Sequence, residues 1–229
     1  MRPSTFVLIH GGGGSAWDWH LVEAELRARG HDVVAVDLPS EDPTAGLEDY
    51  ADVVVDAIGD RTDLVVVGHS FGGFTAPLVC DRLQADLLVL VAAMIPAPGE
   101  RPAEWWSNTG HQMPDGADDP IATFLHDVPP ELADEMVARE RDTADAPMEQ
   151  PWPLDAWPDV PTRFLLPRDD RCFSAGWMRG VVLERLGVVP DEIDGGHCVM
   201  LSRPRELADR LEGYAAEQGG RAADAAARA

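Results

Sequence analysis

A serine hydroxyl is a poor nucleophile until a base removes its proton, so a serine matters when its setting is built for attack. Ser70 has such a setting: Gly68-His69-Ser70-Phe71-Gly72, followed by Gly73, between a Val-rich run and a helix-like stretch. A nucleophile on a strand-to-helix turn adopts strained backbone angles, and small residues two before and two after it avoid clashes across that turn. The hydroxyl then projects above the sheet, at the positive end of the following helix. Serine enzymes of this layout present their residues in the order serine, acid, histidine.

Seven histidines are available as the base. His197, in Gly195-Gly196-His197-Cys198, comes late, after a candidate last strand, and its glycines suit a loop that carries the ring back over Ser70. His69 adjoins the nucleophile and is badly placed to reach its Oγ. His20 and His31 precede the serine, and His111 and His126 fall in a strand-poor segment. The acid should follow the strand at 162–166, where Asp169 and Asp170 both stand. A tetrahedral intermediate needs two N–H donors. One is expected from Phe71, the residue after the nucleophile. The second is expected from the glycines at 11–14, with Gly12 the first choice and Gly11 its rival. A dinucleotide loop is the competing use of such glycines, with Asp37 as ribose acid. That pattern wants glycine at position 16, which is Ala16. His10 reads as a brace for the loop.

These groups need a scaffold, and the chain alternates short Val/Leu-rich runs with helix-like stretches. Strands are predicted at 6–9, 32–36, 64–67, 87–92, 162–166 and 188–193. Helices are predicted at 17–29, 47–59, 71–84, 175–186 and 204–216. Continuous apolar strands separated by helices imply a parallel sheet covered on both faces. From Pro96 to Pro161 the strand signal disappears among prolines and acidic helical pieces such as 130–141. The expected organisation is an α/β core at 1–95 and 162–218, a helical lid inserted at 96–161, and a fraying tail at 219–229. Trp105, Trp106, Phe124 and Leu125, with Met148 and Trp152, are candidates for the pocket wall, although each also suits plain packing.

The 229 residues carry a net charge of −23, and 45% are hydrophobic, which fits one globular domain that phosphate backbones and anionic membranes repel. All 18 basic residues are arginine, so chemistry that needs a lysine is excluded. Three cysteines without metal-type spacing read as free thiols, with Cys80 a small buried hydrophobe. The first strand-like run begins within six residues, leaving no room for a signal peptide, so a cytoplasmic protein is expected. No cofactor or metal is expected. The expected partner is a small-molecule substrate rather than nucleic acid or membrane, and a homodimer is left open.

Together these residues resemble the α/β-hydrolase superfamily, in the branch of plant methylesterases, hydroxynitrile lyases and small bacterial esterases. The resemblance covers almost the whole chain. It is carried by Phe6-Val7-Leu8-Ile9-His10-Gly11 with Ala16-Trp17-Asp18-Trp19, by Gly68 to Gly73, by Asp170-Arg171-Cys172-Phe173, and by Gly196-His197-Cys198 through Pro204. It implies the α/β-hydrolase fold and catalysis by Ser70, Asp170 and His197, with oxyanion donors at Gly12 and Phe71. Asp170 is selected over Asp169 by its distance from Phe173. The lyases carry threonine after the first-loop histidine and lysine after the catalytic one. Gly11 and Cys198 stand there instead, so cyanide elimination is disfavoured. The expected activity is hydrolysis of a small carboxylic ester through an acyl-enzyme. The alternatives are lyase, cyclase or thioester chemistry of a biosynthetic pathway on the same triad, and a non-catalytic ligand receptor.

Overall fold

Apolar runs buried on both faces build the centre of the molecule. The computed structural model describes residues 3–113 and 119–226, with side chains described through residue 221. The chain runs β1 (Thr5–Ile9), a 3-10 turn (Ala16–Trp19), α1 (His20–Ala28), β2 (Asp32–Ala35), α2 (Leu47–Ile58), β3 (Leu64–His69), α3 (Gly72–Leu83) and β4 (Leu87–Val91). Four short helices follow: α4 (Pro102–Asn108), α5 (Pro120–Phe124), α6 (Pro130–Ala138) and α7 (Ala146–Glu149). The core resumes with β5 (Thr162–Pro167), α8 (Ala175–Leu186), β6 (Asp191–Ile193), α9 (Val199–Ser202) and α10 (Pro204–Ala226). All strand pairs are parallel, in the order β2-β1-β3-β4-β5-β6.

Alternation along each strand splits the core in two. Phe6, Leu8, Val65 and Val67 face a layer holding Val22 and Leu26 of α1 and Leu207 and Leu211 of α10. Val7, Ile9, Val66, Leu88 and Leu90 face the layer built by α2, α3 and α8. Every one of these strand residues is buried, which is why the strands read as continuous apolar runs and not as alternating ones. No helix among the described residues is long and apolar enough to cross a membrane.

One expectation is revised. The last strand spans three residues, not six, because Pro190 has no N–H to offer a ladder, and the chain pairs only from Asp191 onward. α10 itself runs on past Gly219 to Ala226. Its alanines favour helix strongly enough to carry Gly219 and Gly220 within it.

Residues 96–161 are tied to the core by indole hydrogen bonds. Trp105 donates to the Ile95 carbonyl (2.9 Å) and Trp152 to Phe74 (3.0 Å), while Trp157 donates to Pro96 (3.1 Å) at the start of the segment. Burying these rings stabilises the seat, and the N–H satisfied by backbone removes the cost of burying it. Beside them Glu100, almost fully buried, takes two hydrogen bonds from Arg185 of α8 and one from Asn108. Burial alone would raise the Glu100 pKa, but Arg185, Asn108 and the Ala97 amide outweigh it and hold the carboxyl below its usual value. A depressed carboxyl contributes stability that is present above its unfolded pKa and lost as pH falls through the folded one. Glu100→Gln leaves the Arg185 charge unpaired and should cost about 3 kcal/mol at pH 7 in urea unfolding. Below pH 4.5, where Glu100 itself begins to protonate, the difference from wild type should shrink.

Candidate active site

β3 ends at His69, and the chain must reverse into α3 almost at once. Ser70 makes the reversal at φ 50°, a left-handed conformation that a residue with a side chain rarely adopts. Its amide donates to the Val91 carbonyl (3.4 Å), and its carbonyl accepts the Gly73 and Met94 amides at 3.0 and 2.9 Å. The glycines answer to space. A Cβ on Gly68 would sit 2.8 Å from the Ala76 Cβ, and one on Gly72 would sit 2.6 Å from the His10 carbonyl oxygen. One on Gly73 would collide with the Met94 carbonyl. The turn is therefore wedged between the ends of β1 and β4.

His197 lies in the loop between β6 and α9, buried. Its Nδ1–H donates to Asp170 Oδ2 at 2.8 Å. The other Asp170 oxygen accepts the Cys172 and Phe173 amides, both at 2.9 Å. That anchorage fixes the carboxylate, which fixes the ring and leaves Nε2 as the nitrogen not bonded to Asp170. Ser70 and His197 line one cavity. Of the two candidate acids, the structure gives Asp170 to the histidine. Asp169 is exposed, and its carboxylate instead takes the Gly195 amide at 3.4 Å.

The first glycine loop lies against Ser70. A Cβ on Gly11 would come within 2.9 Å of the Ser70 Cβ, and one on Gly12 would sit 3.8 Å from the Phe71 Cβ. Gly12 and Phe71 are thus side by side on the cavity wall, and among the described residues no protein acceptor takes the amide of either. His10 is the expected brace: Nδ1–H donates to Gly11 O (2.7 Å) and Nε2 accepts the Leu38 amide (3.0 Å). Burial lowers its pKa and favours the neutral ring this arrangement requires. His69 is also buried, and desolvation, with His197 beside it, holds its pKa well below the ordinary value. Neutral His69 donates Nε2–H to the His197 carbonyl at 3.0 Å, so the residue before Ser70 steadies the His197 loop through its backbone.

The cavity measures about 340 Å³. Trp106, Phe124, Leu125 and Met148 line it as expected, whereas Trp105 and Trp152 do not. Trp105 is a correction: adjacent residues on α4 point apart, so Trp106 reaches the cavity and Trp105 is fully buried. Sequence reasoning missed Met94, Met136, Phe173 and above all Asp18 on the wall. A charged residue between Trp17 and Trp19 was the available signal for the last. Asp18 is buried, accepts the Ser15 amide (3.3 Å), and has its pKa raised to about 6 by that burial, with Asp37 adding to it. Among the described residues, no cluster of three or more His, Cys, Asp or Glu could hold a metal.

The geometry and the topology agree with one family, whose model, the Alpha/beta hydrolase family, matches residues 6–210. The chain belongs to that family. This α/β hydrolase is 29% identical over 256 residues to the "Probable esterase PIR7A" of Oryza sativa subsp. indica, covering 93% of the chain and 97% of the relative. It is 27% identical to "Methylesterase 7" of Arabidopsis thaliana, over 88% and 92% of the two chains. In structure it resembles polyneuridine aldehyde esterase, with a TM-score of 0.80 at 21% identity over 93% and 99% of the chains. The plant methylesterase-like branch inferred from the motifs is the one these relatives occupy.

Two measurements test how this α/β hydrolase holds its site. The positive φ at Ser70 suits glycine and penalises any Cβ, so Ser70→Gly should unfold at least about 1 kcal/mol later than Ser70→Ala in urea. Asp18 tests burial. An acid whose pKa rises on folding costs stability once ionised, a cost absent below the unfolded pKa and complete above the folded one. Asp18→Asn, which keeps an acceptor for Ser15, should therefore stabilise the protein by about 2 kcal/mol at pH 8 and by little near pH 3.8.

Proposed function

We propose that the protein is a cofactor-independent serine hydrolase that cleaves a small carboxylic ester through an acyl-enzyme on Ser70. The observation that carries this reading is the convergence on one cavity of a strained Ser70 and a His197 whose far nitrogen is tied to Asp170 at 2.8 Å.

Ser70 Oγ attacks the ester carbonyl while His197 Nε2 takes its proton, and Asp170 stabilises the resulting imidazolium. The carbonyl oxygen becomes an oxyanion beside the Gly12 and Phe71 amides, which are oriented before charge develops. Collapse of the intermediate expels the alcohol, which receives the proton from His197. Water, deprotonated by the same ring, then attacks the acyl-enzyme and restores Ser70. A cavity near the lower end of the usual range for small-ligand sites, walled by Trp106, Phe124, Leu125, Met148 and Phe173, favours compact apolar acyl or alcohol groups. Residues 96–161 act as a lid, since they supply much of that wall.

One observation favours a second reading. Asp18 adds a titratable group to the same wall, which acid–base chemistry of the lyase or cyclase kind would use. An active-site-directed fluorophosphonate should label the wild type on the Ser70 peptide and leave Ser70→Ala unlabelled, as read by mass spectrometry. A panel of p-nitrophenyl esters should be turned over, with short apolar acyl groups preferred. Labelling without turnover of any ester would favour the second reading. Absence of labelling in folded protein would defeat both.

A further inference from the structure

The glycines before His197 do more than free its loop. Gly195 has φ 122°, which glycine alone tolerates well, and a Cβ there would approach the Asp127 carboxylate at 3.2 Å. A Cβ on Gly196 would fall 2.5 Å from His126 Cε1 and 2.6 Å from Asp127 Oδ1. The space these glycines leave is filled by His126 and Asp127, which lie between α5 and α6 of the inserted segment. Asp127 Oδ2 accepts the Gly196 amide at 2.8 Å.

That bond has no local purpose within the segment. Asp127 caps no helix, since α6 begins only at Pro130. Asp127 Oδ1 is buried without a hydrogen-bond partner, and His126 Nδ1 stands 3.7 Å away. The Gly196 amide is therefore the only hydrogen-bond donor that the carboxylate meets among the described residues. An acceptor placed this way orients the Gly195–Gly196 peptide, one residue before His197. The segment reaches the other loops of the site too. Its Arg141 amide donates to the Gly13 carbonyl at 2.9 Å, and its His111 bonds the Cys172 carbonyl at 2.8 Å.

We propose that Asp127 is a positioning residue for the general base: by accepting the Gly196 amide it holds the His197 loop in register only while residues 96–161 are seated, coupling closure to proton transfer. The proposal rests on the Ser70–His197–Asp170 reading above. Loss of the acceptor lets the loop drift, which lowers the rate of attack without altering how a small substrate binds.

The test uses the full chain, diisopropyl fluorophosphate as a probe too small to depend on the wall of the cavity, and p-nitrophenyl acetate. Asp127→Ala should slow inactivation about ten-fold and lower kcat by a similar factor, with KM changed less than about two-fold. Asp127→Asn, whose amide oxygen can take the same N–H, should stay within about two-fold of wild type. Asp127→Ser, too short to reach Gly196, should behave like the alanine variant and serves if that variant fails to fold. The low-field proton resonance of the His197–Asp170 hydrogen bond should broaden or move in the slow variants only. Wild-type rates in both truncated variants would overturn the proposal, as would slowing confined to KM, or an asparagine variant as slow as alanine. Wild-type protein that resists the inhibitor would instead defeat the triad reading itself.

Discussion

Everything at this site depends on one strained residue. Ser70 is held at a positive φ because the glycines around it allow the ends of β1 and β4 to close to backbone contact. No single bond enforces that conformation. The Val91 carbonyl and the Met94 amide grip Ser70 from the adjacent strand end, while Gly72 lies against the carbonyls of Ile9 and His10. Strain of this kind persists only where the surroundings over-determine it. The same close approach brings the first glycine loop beside the hydroxyl, so the turn that carries Ser70 also sets the distance to Gly12 and Phe71.

Around that turn the site is held largely by backbone. Asp170 is oriented by two amides, His197 by Asp170 and by His69 through its carbonyl, and His10 by a carbonyl and an amide on either side. Main-chain partners move less than side chains. Three histidines thus brace the surroundings of Ser70 in different ways, and burial favours the neutral ring of His10, which donates from one nitrogen and accepts at the other, and of His69, which donates from Nε2.

The sequence revealed what depends on local chemistry. Strand positions were legible because a parallel sheet buries both faces, and Ser70 and His197 because their turns need glycine at fixed offsets. Asp170 was not separable from Asp169 by residue type; only the resemblance chose it, and the structure shows why both are present, one for the ring and one for the Gly195 amide. The cavity wall was legible only in part. Trp105 and Trp106 are chemically identical neighbours, and which of them faces the cavity depends on how α4 lies over the sheet. Phe173, Met94 and Asp18 reach the wall through tertiary packing that no period in the sequence records. The shortness of β6 was written in Pro190.

That short strand has a consequence for the molecule in a crowded solution. An open sheet leaves two edges with unpaired backbone groups, each a template for a strand from another chain. Here one edge is the four-residue β2, whose Asp32 is paired with Arg61, and the other is the three-residue β6. Glu192 of β6 is bridged by Arg168 and Arg179. An incoming strand would find too few free amides to register against, and would have to break ion pairs to reach them. The molecule thus resists edge-to-edge aggregation without needing to cover either edge.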